Sequence, residues 1–403
     1  MIKRELYLRR IRPFYHSDLI KVVLGIRRCG KSELIRQIRG ELLDEGIAEE
    51  RIVYINFEDM SYVDLLDAKS LHTHILKRIT GGGKHYLLFD EIQLVHDFQR
   101  AVNSLKASQD VSIFLAGSNA RILSGELATL LSGRYVSFKM MPLTFSEALK
   151  LTGTKGRYEE LEFFHNYLKW GGLPQRFEFT QEGPVRNYLE DVLNSIIFQD
   201  ILLDMRPADK RLTNRILRFM FENTGKIYSA NRVYEVLKRD GESGGRNKVY
   251  ELTAQIENAM AVSKCSRYDL RGKEVLTQLE KFYAADLGLR SAMNLNAEPN
   301  YGPLLETVVF NEFLARGYQV YIGKTYKGEV DFLVIDGDRR AYVQVAYTLS
   351  NESTLKREVD AFSPIGDHYK RYLISMDQED YSTAGISHLS ALEWLTQRRD
   401  MTF

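Results

Sequence analysis

The sequence predicts an α/β protein: an N-terminal parallel sheet covered by helices, a helical segment, a winged-helix segment and a small α/β domain at the C-terminus. Three observations predict it. In the first 150 residues, four apolar runs alternate with polar, helix-patterned stretches, which is how a parallel sheet buried on both faces reads. In the middle, three helical patterns precede two strand-like pieces. Near the end, helix, strand, hairpin, helix and strand follow one another. The length of 403 residues agrees, being too great for one ordinary domain.

IKVVLGI, RIVYINF, HYLLFDE and VSIFLAGS are the first strands, and YVSFKMMPL closes this region near Pro142. From Thr144 to about Met205 the pattern is helical, interrupted by WGGLP at residues 170–174, where Gly and Pro mark a turn. RLTNRILRFMFENTG, stopped by Gly225, SANRVYEVLKRD and NKVYELTAQIENAM are the next helices, with the glycine-rich link GESGGRN between the last two. AVSKCSRYD and VLTQLEKFYAA follow as strands, and three helices before a hairpin is the order of a winged helix. From about Asn296 come a helix (PLLETVVFNEFLARG), a strand (YQVYIGK), the hairpin GEVDFLVIDGDRRAYVQVAY, a helix (STLKREVDAF), a strand (YKRYLIS) and a helical tail. The expected domains are 1–143, 144–205, 206–292 and 293–403.

The composition, 44% hydrophobic and 27% charged, is that of a soluble globular chain and excludes disorder. Net charge is +1, so the whole chain has no basic signature for nucleic acid. Residues 206–275 differ, with 15 Lys and Arg against 9 Asp and Glu, a net +6. Cys29 and Cys265 lie too far apart for metal-ligand spacing or a disulfide framework. MIKRELYLRRIRPF is too charged for a signal-peptide core and no apolar run is long enough to cross a bilayer. A cytoplasmic protein without membrane contact is expected.

The sharpest motif is GIRRCGKS, residues 25–32, which fits G-x-x-x-x-G-K-[ST] between a strand and an amphipathic helix. Its glycines let backbone N–H groups turn toward phosphate oxygens beside a helix N-terminus, which favours anions. Lys31 then reaches the β- and γ-phosphates and Ser32 ligates Mg2+. The nucleotide-contacting stretch comprises Gly25, Ile26, Arg27, Arg28, Cys29, Gly30, Lys31, Ser32 and Glu33. HYLLFDE ends in Asp90 and Glu91, acids whose burial is costly unless they meet a cation. Asp90 is placed to hold the hydrated Mg2+ and Glu91 to polarise the attacking water. Ser118 and Asn119 end the strand SIFLAGS, where a polar group can bond the γ-phosphate or simply make a turn. Arg134, just before YVSF, can contact a γ-phosphate, often of a neighbouring subunit, or form a surface ion pair.

GIRRCGKS, LLFDEIQ, FLAGSNARIL, LSGRYVSFKMMPLTFSEAL, WGGLP and KFYAADLGLR occur in this order. Together they resemble the AAA-superfamily ATPases of bacteria and archaea that carry a C-terminal domain of unknown function. The resemblance implies ATP binding at residues 25–32, with Mg2+ and catalytic roles at Asp90 and Glu91. It also implies a sensor at Ser118 or Asn119, a finger-type arginine at Arg134 and a helical lid around WGGLP.

In the winged-helix segment, NKVYELTAQIENAM is the candidate recognition helix, approached by Lys238, Arg239, Arg246 and Lys248 but itself carrying Glu251 and Glu257. DNA contact through 206–275 and protein docking both stay open. The C-terminal order resembles the restriction-endonuclease-like fold, whose metal site uses a helix glutamate, a strand aspartate and a Glu-x-Lys pair. Here these fall on Glu306, Asp331, Gln344 and Ala346, with Glu329 as a displaced ligand on the face of Asp331. Gln344 brings no negative charge and Ala346 no cation, so a degenerate, inactive site is expected. The function expected is Mg2+-dependent ATP hydrolysis coupled to movement of the C-terminal domains on DNA, in a chain that can act as a homo-oligomer. The alternatives are a slow nucleotide switch docking an unknown protein partner, and a metal-dependent nuclease.

Overall fold

The apolar runs of the N-terminal third become five short strands because most are buried on both faces. They are β1 (Ile20–Leu24), β2 (Ile52–Asn56), β3 (His85–Asp90), β4 (Val111–Gly117) and β5 (Tyr135–Lys139). Their order is β2-β3-β4-β1-β5, all parallel. Every residue of β1, β3 and β4 is buried, while the edge strands β2 and β5 are only partly so. This is a computed structural model that describes residues 2–123, 133–202, 209–241, 245–293 and 300–403. The boundary expected at 205/206 and residues 242–244 of the glycine-rich link lie outside the described residues.

Helices α1 (Glu5–Ile11), α2 (Lys31–Asp44), α3 (Ala68–Arg78) and α4 (Phe98–Ser108) belong to the same unit, Met1–Met140 with Asn258–Met260. On α2 the buried residues Leu34, Ile35, Ile38 and Leu42 form one stripe, and on α4 Phe98, Ala101, Val102 and Leu105 do the same. Each fully buried aliphatic chain contributes about 1.5–3 kcal/mol over an exposed one, so these stripes hold the helices to the sheet.

The second unit is Met141–Glu257 with Ala261–Phe403, so the segment expected as a helical lid shares a unit with the C-terminal strands. It opens on α5 (Phe145–Thr152), started by a capping box in which Thr144 and Glu147 satisfy each other's backbone N–H. α6 (Arg157–Trp170) stops at Gly171, whose φ is +70°. A Cβ on Gly171 would fall 2.0 Å from the Asp286 carboxylate. That carboxylate accepts from the N–H groups of Gly172 (2.7 Å) and Gly288 (2.8 Å). WGGLP and AADLGLR, far apart in sequence, are thus two halves of one clasp.

α7 (Glu182–Ser195) runs into a π-helical turn at Ile196–Ile201. Then come α8 (Asp209–Glu222), α9 (Ala230–Arg239), α10 (Arg246–Asn258) and the antiparallel hairpin β6 (Val262–Asp269) and β7 (Glu274–Ala284). The three-helix-and-hairpin order is present, but the hairpin is not a free wing. β6 pairs in parallel with β8 (Gln319–Lys324) and so extends the C-terminal sheet, whose order is β12 (Ser387–Ser390), β11 (Lys370–Ser375), β10 (Arg339–Val345), β9 (Glu329–Asp336), β8, β6 and β7. The boundary expected at 292/293 therefore cuts one continuous sheet. After α11 (Leu287–Ala292), the last segment runs α12 (Tyr301–Arg316), β8, β9 (Glu329–Asp336), β10 (Arg339–Val345), α13 (Glu352–Asp360), β11 (Lys370–Ser375), β12 (Ser387–Ser390) and α14 (Ala391–Leu395). β9 is antiparallel to β8 and β10, whereas β10, β11 and β12 are parallel. The tail read as wholly helical therefore first contributes an edge strand.

Candidate nucleotide-binding site

The loop between β1 and α2 is shaped by two left-handed residues, Arg28 (φ +67°) and Gly30 (φ +102°). Gly30 precedes α2, whose N-terminus has no side-chain cap, so its first amides face the loop. Lys31 is buried, and its Nζ donates to the carbonyls of Gly25 (3.1 Å) and Ile26 (3.3 Å). The same Nζ lies 3.8 Å from Glu91 Oε1. Behind the loop, the buried Arg4 donates to the Cys29 carbonyl at 3.1 Å. Burial pushes the Cys29 thiol pKa up. Arg28 is exposed, Arg27 lies 3.6 Å from Glu58, and Glu33 accepts from Arg36 and Gln37 along α2 instead of facing the loop.

Because β4 lies between β1 and β3, the C-terminal ends of all three strands converge. Leu24 is level with Gly117, and Phe89 with Leu115. Residues 25–32, Ser118, Asn119, Asp90 and Glu91 consequently share one end of the sheet. Asp90 is fully buried. Its Oδ1 has no hydrogen-bond partner among the described residues, and Tyr54 reaches Oδ2 only at 3.5 Å. Burial, then the neighbouring Glu91, raise the Asp90 pKa, while the nearby Ser32 hydroxyl opposes them. A buried carboxylate oxygen left without a partner beside a serine hydroxyl fits a hard cation that takes oxygen ligands. Glu91 sits in left-handed backbone (φ +53°), buried, accepting from the Gln93 amide.

Arg134 is not brought to this end. It precedes β5, and its carbonyl accepts from Ile20 at the start of β1, so it lies at the opposite end of the strands. Five residues at about 3.3 Å each put about 16 Å between it and the loop. Its guanidinium is exposed and donates to Asn103 at 3.2 Å.

In the second unit, Glu306 from α12, and Glu329 and Asp331 from β9, meet around a residue that sequence reasoning did not single out. Lys281 of β7 is buried, with Nζ 3.2 Å from Glu329, 3.4 Å from Glu306 and 3.9 Å from Asp331. Burial works against its charge, but the carboxylates outweigh burial and hold its pKa above the ordinary lysine value. Tyr283 donates to Glu306 at 2.7 Å, and Arg267 lies 3.8 Å from Glu329. Burial, then the Glu306 charge, raise the Asp331 pKa to about 8. Gln344 is engaged at both ends: its Oε1 accepts from the Asp331 N–H (2.6 Å) and its Nε2 donates to Glu358 (2.6 Å). Ala346 is buried in an apolar cluster with Leu349, Phe362 and Leu373. Among the described residues, no group of three or more His, Cys, Asp or Glu side chains is arranged to hold a metal ion.

Comparison with known proteins places this geometry. Residues 17–149 match an AAA domain, and residues 161–300 and 301–395 match two domains of unknown function, DUF8612 and DUF4143. An uncharacterized protein of Haemophilus influenzae is 35% identical over 98% of this chain and 99% of its own length. The chain belongs to the same family as that protein. A second family resemblance is to an uncharacterized Methanocaldococcus jannaschii protein, 29% identical over 90% of this chain and 81% of its own. Among solved structures, the Aeropyrum pernix ORC1 protein in complex with DNA aligns with 73% of this chain and 92% of its own at 12% identity and a TM-score of 0.30. The replication initiator DnaA bound to AMPPCP and single-stranded DNA aligns with 63% and 86% at 16% identity and a TM-score of 0.33. Likenesses this slight bear on neither the ligands nor the partners of the family.

Two further features lay in the sequence without standing out. Lys281 opens the apolar end of β7, KFYAA, and Gln93 follows the acids Asp90 and Glu91; both signals point to groups that need partners. On α10, Lys248 pairs with Asp209 (2.9 Å) and Glu251 (3.2 Å), and Glu257 with Lys264 (3.5 Å), whereas Lys238, Arg239 and Arg246 of the basic approach are exposed. A groove of about 460 Å³ on α8 is lined by Lys210, Arg211, Asn214, Arg215 and Arg218, with Arg215 paired to Asp240 and Arg218 to Glu222 (3.0 Å). No helix of the described residues is long and apolar enough to cross a membrane.

Proposed function

We infer that this chain is a Mg2+-dependent AAA-type ATPase whose nucleotide state moves its C-terminal unit. The observation that carries the reading is the convergence, on one end of the parallel sheet, of the uncapped α2 N-terminus, the Lys31 ammonium, and the buried Asp90 carboxylate with an unpartnered oxygen. Phosphate charge meets the α2 amides and Lys31, which exchanges loop carbonyls for phosphate oxygens. Ser32 and Asp90 would hold Mg2+, which when bound supplies charge neutralisation of the phosphates. Glu91 orients the attacking water and takes its proton. Arg134 is too far from its own loop, so any action on phosphate is on a neighbouring copy of the chain.

The second unit is read as a winged-helix-like segment merged with an endonuclease-like sheet whose carboxylates are closed by Lys281, which favours docking over cleavage. DNA, if engaged, meets the basic face of residues 206–275, where Arg215 and Arg218 of α8, like Lys248 of α10, would exchange carboxylate partners for phosphates. The test is the ATP turnover rate of wild-type and Glu91→Gln protein, with and without duplex DNA. Turnover lowered at least about 100-fold by Glu91→Gln supports the ATPase reading, and stimulation by DNA supports engagement of DNA by the second unit. Turnover unchanged by Glu91→Gln removes the assigned role of Glu91, and a rate indifferent to DNA favours a nucleotide switch that docks a protein.

A further inference from the structure

Gln93 lies in the 3-10 turn Ile92–Leu94 directly after Glu91. The left-handed backbone of Glu91 reverses the chain there, a conformation that bulky residues adopt only when their surroundings enforce it. The enforcing contacts are visible. The Gln93 amide nitrogen donates to Glu91 Oε2 and stands 3.4 Å from Ser118 Oγ on the end of β4. Its carbonyl oxygen is buried and has no hydrogen-bond partner among the described residues. The side chain crosses the end of β4 through space that only a glycine leaves: a Cβ on Gly117 would fall 2.5 Å from Gln93 Oε1.

The geometry assigns Gln93 as the positioning residue of Glu91. Resting on the ATPase reading, the assignment is that the amide holds Oε2 of Glu91, leaves Oε1, 3.8 Å from Lys31 Nζ, to meet water once Lys31 turns to phosphate, and ties that choice to Ser118 on the neighbouring strand. An amide is suited to this because its N–H2 group can donate to a carboxylate and a hydroxyl at once, whereas a carboxylate in its place would repel Glu91. The arrangement is also not one that stability alone favours. The hydrogen bond to Glu91 stabilises it, but a buried carbonyl without a partner offsets that gain. A side chain of equal volume without polar atoms therefore folds, which keeps the test clean.

The experiment compares wild type, Gln93→Met, Gln93→Glu, Glu91→Gln and the double variant Glu91→Gln/Gln93→Met. It measures ATP turnover, KM and the affinity for a fluorescent ATP analogue. Positioning predicts kcat lowered about 10- to 100-fold in Gln93→Met and Gln93→Glu, with KM and analogue affinity within about twofold of wild type. It also predicts no further loss when Gln93→Met is added to Glu91→Gln, because two residues acting as one unit are not additive. A Gln93→Met protein that keeps more than about half the wild-type kcat overturns the assignment. So does a loss carried by KM, or an equal loss in the Glu91→Gln background. Wild-type protein that binds and hydrolyses no ATP overturns the ATPase reading itself, and Gln93 falls with it.

Discussion

Replacing Lys281 by Met tests whether an internal ammonium closes the carboxylate cluster of the second unit. The Lys281 side chain is 6% exposed and its Nζ lies within 4 Å of Glu306, Glu329 and Asp331. Removing one partner of a buried ion pair costs about 3–5 kcal/mol, because the remaining charge is left uncompensated. Glu306, Glu329 and Asp331, the last already protonated below about pH 8, would then share Arg267, which is 3.8 Å from Glu329 alone. Part of the cost is recovered when one carboxylate takes up a proton and when the lysine's own desolvation disappears, so a net loss of about 3 kcal/mol is expected. In a unit of this size that lowers Tm by roughly 6–12 °C. Calorimetry and urea unfolding measure it, at several pH values. The deficit shrinks on acidification, because protonated carboxylates no longer repel one another. A loss below about 1 kcal/mol, or a deficit independent of pH, refutes the role of Lys281. Stabilisation of wild type by millimolar Mn2+ that Asp331→Asn abolishes would also refute it, since the cluster would then be taking an external cation.

Three further outcomes are expected. Asp331 has a folded pKa near 8, against about 3.9 unfolded, so the folded state holds an extra proton between these values. Wild-type stability therefore falls as pH rises through that window, and Asp331→Asn, measured by urea midpoints, removes that slope and is the more stable protein above it. Lys21 is buried at the start of β1, bonded to Ser17 O (3.1 Å) and Ser112 Oγ (2.6 Å), and burial lowers its pKa to about 7. The unfolded chain then binds more protons from about pH 7 to 10.4, so wild-type stability rises with pH there; Lys21→Met removes the rise and stabilises by about 2–4 kcal/mol below it, read by thermal melts. Gly171→Ala forces a Cβ against Asp286 in left-handed backbone and destabilises the second unit by at least about 2 kcal/mol in urea unfolding.

The first unit was legible because its physics is local. Strands buried on both faces read as unbroken apolar runs, the phosphate loop announces itself by glycine spacing between a strand and a helix, and Asp90 stands out as an acid ending such a strand. The end of the sheet on which Arg134 falls was not read from the sequence, although a residue before a parallel strand lies opposite a loop that follows one. The second unit was legible in its helices and in the β9–β10 hairpin. It was not legible in the pairing of β6 with β8, which joins segments some fifty residues apart and leaves no periodic trace. That pairing carries β7, and with it Lys281, into the acid cluster. A reading of α12, β9 and β10 found the acids and a missing lysine, while the cation came from a strand assigned to another domain.

The central claim is that residues 25–32 hold the phosphates of ATP, with Lys31 as their cation. Titration calorimetry of ATP with Mg2+ against wild-type and Lys31→Ala protein tests it most directly. Losing charge-assisted contacts of about 1.5–3 kcal/mol predicts roughly 10- to 150-fold weaker binding in the variant, with the fold intact by thermal melting. Equal affinity in the two proteins, or no binding of ATP to wild type, would contradict it.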